Sequence, residues 1–166
     1  MSQPLDDFVS VSEVQDATLL AGDLFRRKFG LAIPEFPHHF VAFVRLPGGA
    51  LQPACYTHAT DCGDIALGGG ACTDTRVLRR LDASQRERLR AVGGIYRYTL
   101  LGMLDQLRAR FPVLFAYCGD ALSERVMLAT DFQPTGEPGL LAYWMATVTE
   151  RRRAQMVAKA RSFVPF

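Results

Sequence analysis

Six consecutive residues, Val113-Leu114-Phe115-Ala116-Tyr117-Cys118, carry no charge and follow Pro112 at the end of a long apolar stretch. A short run without polar alternation is what a strand needs when both of its faces are covered, as in a parallel pair flanked by helices. The stretch before it, Ile95 to Arg110, places Leu100, Leu101, Met103, Leu104 and Leu107 at helical intervals. A glycine-rich extended segment, Ile65 to Cys72, precedes that helix, so the connection reads as strand, helix, strand. The fold class is therefore mixed α/β.

The remaining elements arrange themselves around this unit. His39 to Leu46 is rich in β-branched and aromatic residues, Pro47-Gly48-Gly49-Ala50 supplies a hairpin turn, and Leu51 to Thr60 reads as the returning strand. With Ile65 to Cys72 these make an antiparallel meander. Its Gly68-Gly69-Gly70 run implies that something passes close to the backbone there, because glycine otherwise weakens a strand. Before the meander, Val14, Ala17, Leu20, Ala21, Leu24 and Phe25 predict an amphipathic helix from Val11 to Phe29, capped by Ser12 with Gln15 after it and stopped by Gly30. Ile33 to His39, with two prolines, reads as a loop, and Thr73 to Leu89 as charged and helix-prone. Ala121 to Thr130 predicts a helix, Leu140 to Val148 a last strand, and Thr149 to Ser162 a terminal helix.

At 166 residues, with 49% apolar and 22% charged, the chain has the material for one core and none of the composition of disorder. We expect a single domain over residues 1–148 and a basic C-terminal helix over 149–166 packed on it. A net charge of +2 does not point to nucleic acid as a main partner, so none is expected. Met1 to Asp7 lacks the pattern of a signal peptide, and no apolar run approaches bilayer length, so the expected location is cytoplasmic. Cys55, Cys62, Cys72 and Cys118 are too few for a dense disulfide framework and are expected to be thiols. Cys55-x-x-His58, with Cys62, Cys72, His38 and His39, has the residue types of a zinc site, but alternation along a strand sends Cys55 and His58 to opposite faces. No metal is expected. Neither a Gly-x-Ser-x-Gly elbow nor a Gly-x-x-x-x-Gly-Lys-Ser/Thr loop occurs. Ser123 belongs to a helix first turn. The basic residues of the tail suit a solvated helix whose Met156, Val157 and Ala160, followed by Phe163, Val164 and Phe166, dock on the domain or on a second subunit, making a homodimer conceivable.

Helix, meander, glycine turn, helix, parallel strand, helix and final strand, over roughly Val11 to Val148, is an order that resembles the GNAT superfamily of acyl-CoA N-acyltransferases. Two local stretches carry the resemblance further. Arg90-Ala91-Val92-Gly93-Gly94-Ile95, entering a long helix, looks like the family's Arg/Gln-x-x-Gly-x-Gly/Ala turn, and Met127-Leu128-Ala129-Thr130-Asp131-Phe132-Gln133-Pro134 resembles its late Tyr-x-x-x-Gly-Phe segment.

The resemblance implies an acetyl-CoA or longer acyl-CoA co-substrate, with its pyrophosphate against Arg90, Val92, Gly93, Gly94 and Ile95, where helix N–H groups and the dipole favour an anion. Arg88, Arg90 and Arg97 could add charge. Ile95 stands where the family has its last small residue, and its side chain is expected to crowd the phosphate. Gly70 and Cys72 are expected beside the pantetheine and acyl chain. For the acid and base that amine acylation needs, the family's usual acid is a tyrosine at the position held here by Met127. Tyr117 or Cys118 would have to supply the acid instead, and Asp74 or Asp64 the base. Two functions remain open: N-acylation of an unidentified amine, or a non-catalytic domain of this fold that binds an acyl ligand or a partner protein.

Overall fold

The computed structural model describes residues 5–35 and 38–166. A seven-stranded mixed sheet runs in the order β1-β2-β3-β4-β5-β7-β6, built from β1 (Val9–Val14), β2 (His38–Arg45), β3 (Leu51–Asp61), β4 (Ala66–Thr73), β5 (Val113–Tyr117), β6 (Gln133–Pro134) and β7 (Leu140–Trp144). Among the described residues six helices accompany it: α1 (Ala17–Phe29), α2 (Thr75–Leu78), α3 (Ala83–Ala91), α4 (Gly94–Leu107), α5 (Ala121–Leu128) and α6 (Glu150–Arg161). The chain forms two compact units, one of Met1–His58 and Gly70–Met103, the other of Ala59–Gly69 and Leu104–Phe166.

In the first unit the expected helix from Val11 is replaced by a strand and a shorter helix. β1 pairs antiparallel with β2 from Val9↔Val44 to Val14↔His39. The apolar residues Val9, Val11 and Val14 satisfy neither period fully, and the ladder to β2 decides the matter, since every N–H and C=O needs a partner. The helix cap is consequently Asp16, not Ser12: its Oδ1 accepts the Leu19 N–H at 2.9 Å. Gly30 closes α1 as expected, at φ 71° with its N–H on Arg26 O. The prolines of the 33–39 loop fall partly at residues 36–37, outside the described residues.

Two apolar clusters sit in this unit. Ala17, Ala21, Leu24 and Phe25 of α1 pack with Val41, Tyr56 and Cys72, while Ala42, Val44, Ala54 and Cys55 pack with Leu81, Leu89, Ile95 and Tyr98. Cys55 and Tyr56 are neighbours on β3 and enter different clusters, as strand alternation requires. The charged 73–89 segment resolves into α2 and α3, capped by Asp74 and Asp82. Asp82 and Gln85 form a reciprocal capping box with bonds of 2.8 and 3.1 Å.

The second unit contains the parallel pair foreseen from the apolar run: Ala66↔Leu114, Leu67↔Phe115 and Gly68↔Ala116. β7 lies antiparallel on the other edge of β5. Met156 and Ala160 of α6 are buried with Ile65, Leu67, Val113 and Phe115, with Val157, Val164 and Phe166 around them. Asp64 receives hydrogen bonds from Arg152 and, at 2.5 Å, from Lys159, whose ammonium also donates to Cys62 O at 2.5 Å. The basic tail is thus anchored by apolar burial and by a charge pair, and Asp64 serves that anchor.

Candidate functional site

The Arg90 to Ile95 turn is made by the end of one helix running into the start of the next. The Val92 and Gly93 N–H groups are spent on closing α3, donating to Arg88 O at 3.3 Å and Arg90 O at 3.0 Å. Gly93 and Gly94 then take φ 89° and 91°, a conformation that side chains with a Cβ resist, and the chain reverses into α4. The N–H groups of Gly94 and Ile95 that open α4 have no acceptor among the described residues. Such unpaired donors at a helix N-terminus, reinforced by the dipole, are an anion site in the making.

Ile95 does not crowd this space, contrary to the sequence expectation. Only 3% of it is exposed, and it packs with Leu89 and Tyr98 in the core. The first turn of α4 starts in a phase that turns this side chain inward, where its burial contributes about 1.5–3 kcal/mol. What lies against the turn is Arg97. Its Nη1 donates to Val92 O at 2.8 Å, and a Cβ placed on Gly93 would lie 2.6 Å from Arg97 Cδ. Arg88 is tied to Asp7 by two bonds of 2.6 and 2.8 Å and lies over the Phe8 ring, whereas the exposed Arg90 side chain has no partner among the described residues. Charge for a phosphate would therefore come from Arg90 and Arg97.

The other predicted residues fare differently. A Cβ on Gly70 would meet Phe29 Cζ at 3.2 Å, so the close approach that the glycine permits is made by α1. Cys72 is 3% exposed in the α1 cluster, and burial pushes its thiol up to about 12. Asp74 caps α2 through the Arg76 N–H at 3.0 Å and accepts Arg27 Nη2 at 2.6 Å. Its carboxylate is occupied by structural work and is a poor choice of base.

In the second unit Tyr117 ends β5, with its ring 3.0 Å from where a Cβ on Gly139 would stand and 6.4 Å from the Phe166 ring centre. Its hydroxyl has no hydrogen-bond partner among the described residues. Cys118 donates to the Met127 sulfur at 3.6 Å, and burial, with Glu124 and Asp120 nearby, raises its thiol to about 11. It stays protonated at neutral pH, the form that the acid role expected of it requires.

Sequence reasoning weighed the histidines as zinc ligands, set that aside on their spacing, and gave them no other role. Among the described residues no group of three or more His, Cys, Asp or Glu could hold a metal ion. Instead His39 Nδ1, the Tyr56 hydroxyl and His58 Nδ1 form a buried chain with contacts of 2.9 and 3.2 Å. Burial, then the charge of His39, lowers His58 to about 4, and burial raises Tyr56. The signal was available in Tyr56-x-His58, whose spacing of two puts both side chains on one face of a strand.

No helix among the described residues is long and apolar enough to cross a membrane. No family model matches the chain, and no curated protein does. Among solved structures, the ribosomal-protein-S18-alanine N-acetyltransferase from Escherichia coli is similar at a TM-score of 0.57 and 14% identity, covering 86% of this chain and 97% of that one. A structure of AtaTR bound with AcCoA also matches, at a TM-score of 0.47 and 12% identity over 91% and 99% of the two chains. The first of these, together with the meander, the parallel β4–β5 pair and the glycine turn before α4, establishes the architecture: the chain has the GNAT fold.

Proposed function

We propose that the protein is an acyl-CoA-dependent N-acyltransferase. The observation that supports the proposal is the turn before α4, where two glycines at positive φ, two unpaired N–H groups and an inward Ile95 give the donors that a pyrophosphate would need. Arg90 and Arg97 supply its counter-charge. Acetyl-CoA or a longer acyl-CoA is the donor.

In the reaction a neutral amine attacks the thioester carbonyl, forming a C–N bond. The C–S bond then breaks, and the departing thiolate takes a proton. Tyr117 is the proposed proton donor, since its hydroxyl is uncommitted, whereas Met127 holds the position at which the family usually has its tyrosine. The name of the Escherichia coli neighbour, an alanine N-acetyltransferase, is in keeping with an amine acceptor.

Thermal unfolding with acetyl-CoA and longer acyl-CoAs tests the proposal, because a ligand bound only by the native state raises Tm. At a hundredfold excess over Kd the gain is about 2.7 kcal/mol. No shift at millimolar concentrations would refute donor binding. Met127, engaged by the Cys118 thiol, favours a second reading in which the domain binds an acyl ligand without turning it over. A shift with acetyl-CoA but no acylation of any amine would select it.

A further inference from the structure

The last turn of α1 holds Arg26, Arg27, Lys28 and Phe29, and Leu31 follows Gly30 at the surface. Cations suit a helix C-terminus, where the dipole is negative, and that accounts for the charge in this turn. It does not account for the apolar residues beside the charge. Leu31 is 67% exposed, and Phe29, whose ring edge lies against Gly70, is still 39% exposed.

A second group of cations stands next to the first. Arg76, Arg79 and Arg80, three and four residues apart, share the exposed side of α2 and the turn that ends it, while Val77 points inward. Asp74 joins the two groups: its Oδ2 accepts Arg27 Nη2 at 2.6 Å, and its Oδ1 lies 3.5 Å from Arg76 Nε. The charge of Asp74 is thereby spent on Arg27 and Arg76. The side chains of Arg26, Lys28, Arg79 and Arg80 have no hydrogen bond or ion pair among the described residues. All of these residues belong to the first unit. Six cations against Asp23 and Asp74 leave the face an excess of four positive charges.

The pairing of free cations with exposed apolar side chains decides the kind of partner. A nucleic acid would use the charge and leave Leu31 in water. An anionic bilayer uses both, because its phosphates meet the cations while apolar side chains enter the boundary between headgroups and acyl chains. The contact has limits on both sides. Beyond Leu31 the chain borders a cleft of about 370 Å3 with Asp16, Pro34 and Glu35 among its walls, and those carboxylates would be repelled, as would Asp23 one turn before Arg26.

We infer that this face docks the protein on an anionic phospholipid bilayer. Arg26, Lys28, Arg79 and Arg80 engage lipid phosphates, and Leu31 enters the interface with the exposed part of Phe29. The protein lies on the bilayer through this face without crossing it. The inference is independent of the acyltransferase reading.

Co-sedimentation of the full chain with phosphatidylcholine vesicles containing about a third phosphatidylglycerol is the test, with pure phosphatidylcholine as the uncharged control. Binding should occur with the anionic vesicles only and weaken as salt is raised. A cation near such a surface is worth about fivefold in affinity, so Arg79→Gln combined with Arg80→Gln should weaken binding about 25-fold. Leu31→Ser should weaken it about tenfold. Both variants change exposed side chains and should keep the wild-type Tm. The chain has one tryptophan, so Leu31→Trp adds a second emission, which should move to shorter wavelength on anionic vesicles. No sedimentation with anionic vesicles at low salt, equal sedimentation with pure phosphatidylcholine, or wild-type binding by Leu31→Ser would overturn the inference. A short single-stranded RNA that binds wild type and Leu31→Ser alike, while anionic vesicles bind neither, would assign the face to nucleic acid instead.

Discussion

Gly102 on α4 faces Val11 on β1 at a distance that admits no further atom. A Cβ there would lie 2.7 Å from Val11 Cβ and 2.9 Å from both γ-carbons, against about 3.5–4.0 Å for an ordinary carbon contact. Alanine in a helix interior is favoured over glycine by about 1 kcal/mol, so helix propensity alone predicts that Gly102→Ala stabilises. Overpacking opposes it by about 1–3 kcal/mol. The upper part of that range applies, because Val11 is β-branched and held by the ladder opposite Ala42, and α4 is held by the burial of Ile95 and Tyr98. The net effect is a loss of about 1–2 kcal/mol, or roughly 2–8 °C in Tm for a chain of 166 residues. Urea unfolding of wild type, Gly102→Ala, Val11→Ala and the double variant measures it. Val11→Ala removes the two γ-carbon contacts but keeps Cβ, the nearest of the three at 2.7 Å, so it should relieve the loss in part, with a coupling of about 0.5–1 kcal/mol. A Gly102→Ala protein as stable as wild type, or two additive substitutions, would refute the packing argument.

Gly94→Ala meets open space but a φ of 91°, so it should cost about 1–2 kcal/mol of stability and abolish the acetyl-CoA thermal shift; Gly48→Ala, also in open space, should change neither. His58 is expected to make the protein acid-sensitive. Its native value of about 4 lies below the ordinary 6.5, so the unfolded chain binds the extra proton between those values; stability is full above pH 6.5 and falls toward pH 4. At about 1.4 kcal/mol per unit the loss amounts to about 3 kcal/mol, and His58→Gln should flatten that part of the curve in pH-dependent urea unfolding. Asp64→Asn removes the partner of Lys159 and Arg152; being partly exposed, it should cost under about 1 kcal/mol but expose α6 to limited trypsin digestion. The carboxyl of Asp64 is held below its ordinary value chiefly by the Lys159 hydrogen bond, so this anchor should loosen as pH falls below the usual carboxylate range.

What could be read from the chain beforehand was set by local chemistry. Val113 to Tyr117 announced a doubly covered strand because every residue in it is apolar, and Gly93-Gly94 announced a turn because few other residues take φ near 90°. The first element was misread because Ser12 and Gln15 imitate a capping box, and only the partner strand β2 reveals that 9–14 is extended. The direction of Ile95 depended on the phase in which α4 begins, which no local pattern specifies. Gly70 and Cys72 looked like a ligand channel, and the answer lay in α1, more than forty residues earlier, whose Phe29 fills the place. β6, two residues long, carries no periodicity to detect.

The contact between Gly70 and Phe29 also governs how freely this protein can diversify. It locks the C-terminal end of α1 to the sheet, and the chain leaves that locked end at Gly30 into a segment whose Leu31 is 67% exposed. Mutations at the exposed Leu31, Ala32, Pro34 and Glu35 therefore cost little folding energy, and those at Pro34 and Glu35 alter the cleft beside α1 directly, whereas Ile33 packs on the core. Selection could reshape that cleft through a handful of surface positions, leaving the core sequence almost untouched.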